Sequence, residues 1–284
     1  MIRSFICSTL VGRILFIPYR AIFVVGPYWI RHTLTVIWWL LTSKEFYNHS
    51  AKISKISEGY MANFISNLSG VSVAEVEGYF NELSKDNNLR QELTDLAIKN
   101  KRKHAGDVIP NYGRRIAWYA LVRIFKPVLV VETGVDGGLG TAVICEALMR
   151  NTLEGKCGQL IATDNNKNCG YLIPERLKSR YSILLGDSIK QLDTINQPVD
   201  IFIHDSNHAA WYEYGEYATI APRFHDKTLV ISDNSKNCEV LRTYANNRSN
   251  KFAFFQEELL NHWWPGDGIG IMYNIVSNAH FKTL

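Results

Sequence analysis

From Pro127 onward, short β-branched runs are separated by stretches of helical periodicity, and this alternation restricts the fold more than any other feature of the chain. Strands that alternate with helices imply a mainly parallel sheet, because a parallel connection needs a crossover long enough to hold a helix. The runs are Val128 to Glu132, Leu160 to Asp164, Ser182 to Leu185, Val199 to His204 and Leu229 to Ser232. Phe252 to Gln256 and Ile269 to Asn274 follow after a helix near Glu239 to Asn247, and helices are expected to fill the other gaps. The expected fold is α/β: a doubly wound, seven-stranded, mostly parallel sheet with helices on both faces, preceded by an N-terminal helical extension.

The 284 residues exceed one average domain and divide into three stretches, an apolar segment 1–42, a helical connector or lid 43–104 and the alternating domain 105–284. Between Phe5 and Leu41 the chain is strongly apolar, but Arg13, Pro18, Arg20, Pro27, Arg31 and His32 cut it into pieces short of the about 20 apolar residues a spanning helix needs. No small-residue cleavage site follows a clean apolar run, so a secretory signal is not expected. Arginines interspersed with Trp29, Trp38 and Trp39 suit a helix lying on a membrane surface, with a hairpin packed on the catalytic domain or a second subunit, or a re-entrant or spanning element, as the alternatives. In the connector, Ser72-Val73-Ala74-Glu75 reads as a capping box, and a second helix is expected from Asn88 to about Lys103. These helices suit a lid or a dimerisation element, which leaves a homo-oligomer open.

The net charge of +4 is mild and forms no basic stripe with interleaved aromatics, so no nucleic-acid partner is expected. Lys101 to Lys103, with Arg114 and Arg115 nearby, reads as a solvated helix face. Five cysteines, Cys7, Cys145, Cys157, Cys169 and Cys238, contain no C-x-x-C pair. They read as reduced thiols of a cytoplasmic protein, and the surface-helix reading of the N-terminal segment would make it peripherally membrane-associated.

Open α/β sheets bind ligands beyond the carboxyl ends of their strands, and those positions here are polar. They read Glu132-Thr133-Gly134, Asp164-Asn165, Gly186-Asp187-Ser188, His204-Asp205-Ser206 and Ser232-Asp233-Asn234. In the first turn, Gly134, Gly138 and Gly140 would let backbone approach a ligand closely. A nicotinamide fingerprint starting at Gly138 fails at Val143, and Glu132 suits a positive centre better than a pyrophosphate. Asp164 ends the second strand where nucleoside-binding sheets place an acid against ribose hydroxyls.

The run E-x-G-x-x-x-G-x-G at 132 to 140, then Asp164, then Gly186-Asp187-Ser188, resembles the Rossmann-like class I S-adenosylmethionine-dependent methyltransferases. That resemblance implies that Glu132, Gly134, Gly138 and Gly140 bind the cofactor, with Glu132 and Gly134 at its methionine end. Asp164 would then hold the ribose, and Asp187 with Ser188 would flank the adenine. Asp205 after the fourth strand and Asp233-Asn234 after the fifth resemble the metal ligands of metal-dependent O-methyltransferases, so Asp205, Asp233 and Asn234 are the expected Mg²⁺ ligands. His208, in D-x-x-H with Asp205, is the expected catalytic base, since an imidazole accepts a proton near neutrality. His204, at a strand end, is a candidate supporting group, and the His262-Trp263-Trp264-Pro265-Gly266-Asp267-Gly268 loop is either a pocket wall or a hydrophobic plug. The resemblance implies O-methylation of a small molecule or sugar, with a glycolipid or polysaccharide precursor favoured by the histidine and the apolar segment. A nicotinamide-dependent oxidoreductase and an inactive methyltransferase-like scaffold are the alternatives.

Overall fold

The computed structural model describes residues 9–43, 51–100 and 110–274. They fall into two compact units, a small one built on the first helix with Asn261–Trp264 and a large one that carries the sheet.

Helix α1 runs from Leu10 to Thr42 with a turn residue at Phe16, a longer stretch than the pieces expected from its prolines and arginines. A proline breaks a helix because it removes a donor and crowds the preceding turn. Pro18 and Pro27 instead each stand at the start of a local helical segment, Ile17–Tyr19 and Gly26–Thr42. A π-type stretch at Arg20–Val25 joins these segments and widens the turn ahead of Pro27. There the Ala21 carbonyl oxygen passes so close to Gly26 that an added Cβ would lie 2.7 Å from it, so only glycine fits. By length and composition α1 could cross a membrane, and 6% of its most apolar window is buried.

In the large unit, α2 (Lys55–Ser69), α3 (Val73–Ser84) and α4 (Asn87–Lys99) precede the sheet. Ser72 accepts a hydrogen bond from Glu75 N at 3.2 Å, the N-cap expected from the sequence. Asn100 turns the backbone extended, so α4 stops at Lys99; residues 101–103 lie outside the described residues. Helix α5 (Arg115–Phe125) is buried from Ile116 to Arg123 and packs on α2, α3 and α6 (Leu139–Leu153). Its Arg123 is 4% exposed, lies over the Tyr79 ring and donates to Glu82 (2.8 Å), Glu154 (2.6 Å) and Asn151.

The strands are β1 (Leu129–Thr133), β2 (Gln159–Asp164), β3 (Tyr181–Leu185), β4 (Val199–His204), β5 (Phe224–Ser232), β6 (Lys251–Gln256) and β7 (Gly268–Tyr273). They lie in the order β3-β2-β1-β4-β5-β7-β6, all pairings parallel except those of β7, which runs antiparallel to both neighbours. Between β2 and β3 a 3-10 turn, Glu175–Arg180, stands where a helix was expected. Helices α7 (Ser188–Asp193), α8 (Ala210–Ile220) and α9 (Val240–Asn247) follow β3, β4 and β5. Successive strand residues face opposite layers. Leu129, Val131, Phe202 and Val230 therefore enter one core with Leu192, Tyr217, Ile220 and Leu241 of α7, α8 and α9, while Glu132 faces Trp118 of α5 and Thr141 of α6. The four described cysteines that the sequence suggested as reduced, Cys145, Cys157, Cys169 and Cys238, are all free thiols.

Replacing Arg123 by Met would strand Asn151 and two glutamates; because Glu82 and Glu154 are partly solvated, the expected loss is about 2–3 kcal/mol, at the low end of values for breaking a buried pair. The urea-unfolding midpoint measures it, and a change below about 0.5 kcal/mol would show that these helices are held by apolar packing alone.

Candidate active site

Strand register decides which side chains meet. Parallel pairing sets Thr133 beside His204 and His204 beside Ser232, so these three form one row across β1, β4 and β5. The ladder continues one residue past the strands, with Asp205 N donating to Thr133 O (2.9 Å) and Asp233 N to His204 O (3.0 Å). Gly134, Asp205 and Asp233 thus form the next row, on the opposite face. An Asp205–Asp233 contact follows directly from acids placed immediately after two adjacent strands in register.

The upper row meets the N-terminus of α5, whose dipole favours negative charge. Arg114, the N-cap residue, grips both Asp233 oxygens through Nε and one terminal nitrogen, and its other terminal nitrogen lies 3.1 Å from Glu257 and 3.7 Å from Asp267. Arg115 lies 3.5 Å from Asp205, and His208 Nε2 lies 3.8 Å from Asp205 Oδ1, an ion-pair distance too long for a hydrogen bond. Arg114 is buried at 7% exposure, so these arginines are not the solvated face expected from the sequence. Helix α5 drives them inward because its outer turns are themselves buried.

These contacts drive the two aspartates apart electrostatically. Burial and the neighbouring Asp233 push the Asp205 carboxyl above its usual range, with His208 and the arginines pulling it back. Burial also opposes ionisation of Asp233, but Arg114 outweighs it and holds this carboxyl down at about 2. Asp205 raises His208 above the ordinary imidazole value against the opposing effect of burial. Ligand atoms of Asp205, His208 and Asp233 all lie within 4.8 Å of one another. Asn234 sits beside them, its amide nitrogen donating to the His208 carbonyl and to Glu213, both at 3.0 Å, which leaves its carbonyl oxygen as the donor it can offer a cation.

The lower row is tied to α8 by two buried glutamates one turn apart. Glu216 receives Thr133 Oγ1 (2.8 Å), Ser206 Oγ (2.6 Å) and Ser188 Oγ, with His204 Nδ1 at 2.6 Å. Glu213 receives Ser232 Oγ (2.9 Å), Tyr217 OH (2.7 Å) and the Asn234 amide. His204 therefore belongs to the scaffold beneath the acids. Sequence reasoning missed Arg114, Arg115, Glu213, Glu216 and Glu257; the E-x-x-E spacing after β4 was the one local signal.

Glu132 lies one pleat below Asp205, is 1% exposed and accepts from Thr141 Oγ1 at 2.6 Å. Burial pushes its carboxyl up to about 8, the Thr141 hydroxyl only partly offsetting the loss of water. It is an acid that a nearby positive centre would stabilise. Gly134, at φ 89°, has the Asp205 carbonyl oxygen 2.0 Å from where a Cβ would stand, and at Gly138, with φ 90°, a Cβ would meet Ile173 at 2.6 Å. Gly140 is hemmed by Glu132 and Trp118. All three glycines are thus required by contacts within the chain. Asp164 accepts from the backbone of Val135 (3.0 Å), Asp136 (2.8 Å) and Asn166 (2.7 Å), stapling the turns after β1 and β2 at the carboxyl edge. Asp187 caps α7, and Ser188 points inward to Tyr212 and Glu216.

Residues 131–235, from β1 to just past Asn234, match the family model described as a methyltransferase domain. Comparison with curated proteins found no match. Similar solved structures include the SAH-bound methyltransferase PaMTH1 of Podospora anserina (13% identity, 71% of this chain and 94% of that one, TM-score 0.48). The O-methyltransferase TomG of Streptomyces achromogenes, in complex with SAM, matches at 16% identity over 70% and 95% of the two chains, with a TM-score of 0.47. A methyltransferase from Geobacter sulfurreducens matches at 16% identity over 67% and 92%, with a TM-score of 0.49. Residues 131–235 are thus similar to a methyltransferase domain, and the strand order is that of the Rossmann-like sheet expected from the motifs.

Two measurements probe this geometry. Gly134→Ala would force a Cβ against the Asp205 carbonyl at a positive φ, and a loss of at least about 2 kcal/mol is expected from urea unfolding. Glu132 holds a proton in the folded chain that the unfolded chain releases from about pH 4.5, so its contribution makes stability fall as pH rises from about 4.5 to about 8 and level off above. Glu132→Gln should therefore gain in melting temperature relative to wild type between pH 5 and pH 8, read by thermal scans; a constant difference would mean that Glu132 titrates normally.

Proposed function

We propose that this chain is an S-adenosylmethionine-dependent O-methyltransferase acting, with a divalent metal, on a hydroxyl of a sugar or other small molecule. The observation that carries the reading is the convergence of Asp205, Asp233 and His208 at the carboxyl edge of β4 and β5, beside the Gly134 turn.

For the cofactor, the fit lies in charge: Glu132, buried, and Asp205, half-buried, are acids of raised proton affinity that the positive sulfonium and amino groups would stabilise in their ionised form. Asp164 stands at the β2 edge, as a ribose-binding acid would. Asp187 and Ser188 would contribute at the adenine end through the turn they form. For the metal, the donor set fits a hard cation, since four carboxylates, Asp205, Asp233, Glu257 and Asp267, face two guanidiniums. Asp205 and Asp233 would hold it, with Asn234 Oδ1, and the bound ion would acidify and orient the acceptor hydroxyl. His208, half exposed at the rim, can take the hydroxyl proton onto Nε2, and Asp205 beside it stabilises the imidazolium so formed. Before a cation binds, Arg114 holds Asp233 ionised and Arg115 favours the ionised form of Asp205. S-adenosylmethionine, when bound, would supply the methyl carbon to the acceptor oxygen, the carbon–sulfur bond breaking with its electron pair left on the neutral thioether.

The exposed apolar side chains of α1, Trp29 and Trp38 among them, support contact with a lipid surface and so an acceptor carried on a lipid. Flotation of the full chain with anionic vesicles tests this; a chain that stays in the dense fraction at all lipid concentrations would remove the lipid part of the proposal.

Calorimetric titration with S-adenosylhomocysteine, with and without Mg²⁺, on wild type and Asp233→Ala tests the core. Cofactor binding to both proteins, with a Mg²⁺ response in wild type alone, is expected. His208→Ala should bind cofactor normally yet lose about 10²–10⁴ in kcat on glycoside acceptors. Methylation of catechols with no glycoside turned over would overturn the sugar assignment.

A further inference from the structure

Arg114 engages both oxygens of Asp233, yet Asp233 is an acid the proposed metal would use. Both its oxygens accept from one buried guanidinium, a bidentate arrangement that competes with a cation for the same charge. Directly beyond lies a second acceptor. Glu257 is 3% exposed; its Oε1 takes an Arg114 terminal nitrogen at 3.1 Å and the Asp267 N–H at 3.3 Å, while its Oε2 is buried with no hydrogen-bond partner among the described residues. A buried carboxylate oxygen left without a donor is costly, and folded chains rarely keep one without use. Asp267 adds a second acid, 3.7 Å from the same nitrogen and more exposed than Glu257. The guanidinium therefore has acceptors on both sides, one side filled and the other half empty.

We propose that Arg114 is an exchangeable counter-charge, pairing with Asp233 in the metal-free chain and transferring to Glu257 and Asp267 when a divalent cation takes the Asp205–Asp233 pair. This rests on the metal reading above. The exchange keeps each carboxylate compensated in both states, so the cation enters without leaving a guanidinium unpaired. Glu257 is then a positioning residue that acts through Arg114, and its effect falls on metal affinity.

Binding of Mn²⁺ to the purified full chain without cofactor, followed by the loss of the free-ion electron paramagnetic resonance signal, reads the exchange. Glu257→Gln, which weakens the receiving side, should loosen Mn²⁺ about tenfold. Arg114→Gln, which removes the competitor, should tighten it about tenfold while lowering the metal-free melting temperature, and added Mn²⁺ should restore more of that temperature than it adds to wild type. Shifts in opposite directions cannot come from general loss of structure. Wild-type affinity in both variants, or weakening in both, would overturn the exchange and leave the metal reading standing. Absence of Mn²⁺ binding in wild type at millimolar concentration would overturn both.

Discussion

Two acids set side by side at the ends of neighbouring parallel strands repel each other, and the structure around β4 and β5 depends on how that repulsion is met. The register that joins His204 to Ser232 leaves Asp205 and Asp233 no means of separating short of breaking the ladder. Compensation comes from the start of α5, which brings two guanidiniums and a helix N-terminus to the same edge. Gly134 must lack a side chain for Asp205 to occupy its position, and Glu257 and Asp267, which flank the β6–β7 connection, hold the far side of Arg114. A sheet edge that would be unstable alone becomes a site because five separate segments meet there.

The opposite face of the same strand ends handles polarity in another way. Thr133, His204 and Ser232 present hydroxyls and an imidazole, and α8 answers with Glu213 and Glu216, both fully buried. That network fixes Ser206 and Asn234, which flank the two aspartates in sequence, so the loops that carry the acids are clamped from below. Chemistry and support are thereby separated by the pleat: odd and even residues of one strand serve different layers.

The strands, their parallel order and the acids at their ends could be read from the sequence, because each is a local pattern of period two followed by a polar residue. Asp205 and His208 meet because they are three apart on one loop, and Asp233 joins them through strand adjacency, which alternation implies. Arg114 and Arg115 could not be read so. Their partners are remote, and beside Lys101 to Lys103 they look like any solvated basic run. Nor could Glu213 and Glu216 be distinguished from exposed helix charges, since only the tertiary fold buries that face. Helix α1 departs from its sequence pattern for a different reason: Pro18 and Pro27 each stand at the start of a helical segment, where the missing N–H costs little, and a wide turn at Arg20–Val25 absorbs the rest.

The separation of Arg114 from its partners also has a temporal meaning. Asp233 lies 119 residues further along the chain and Glu257 143, and β7 enters the sheet between β5 and β6 only after both have been made. The arginines emerge from the ribosome well before Asp205 and Asp233, and the set of acids around Arg114 is complete only when the β6–β7 hairpin adds Glu257 and Asp267. Contacts of such long range are entropically expensive to form early. The β6–β7 hairpin thus completes the site: before it docks, Arg114 and Arg115 can reach Asp233 and Asp205, but the far side of Arg114 lacks Glu257 and Asp267.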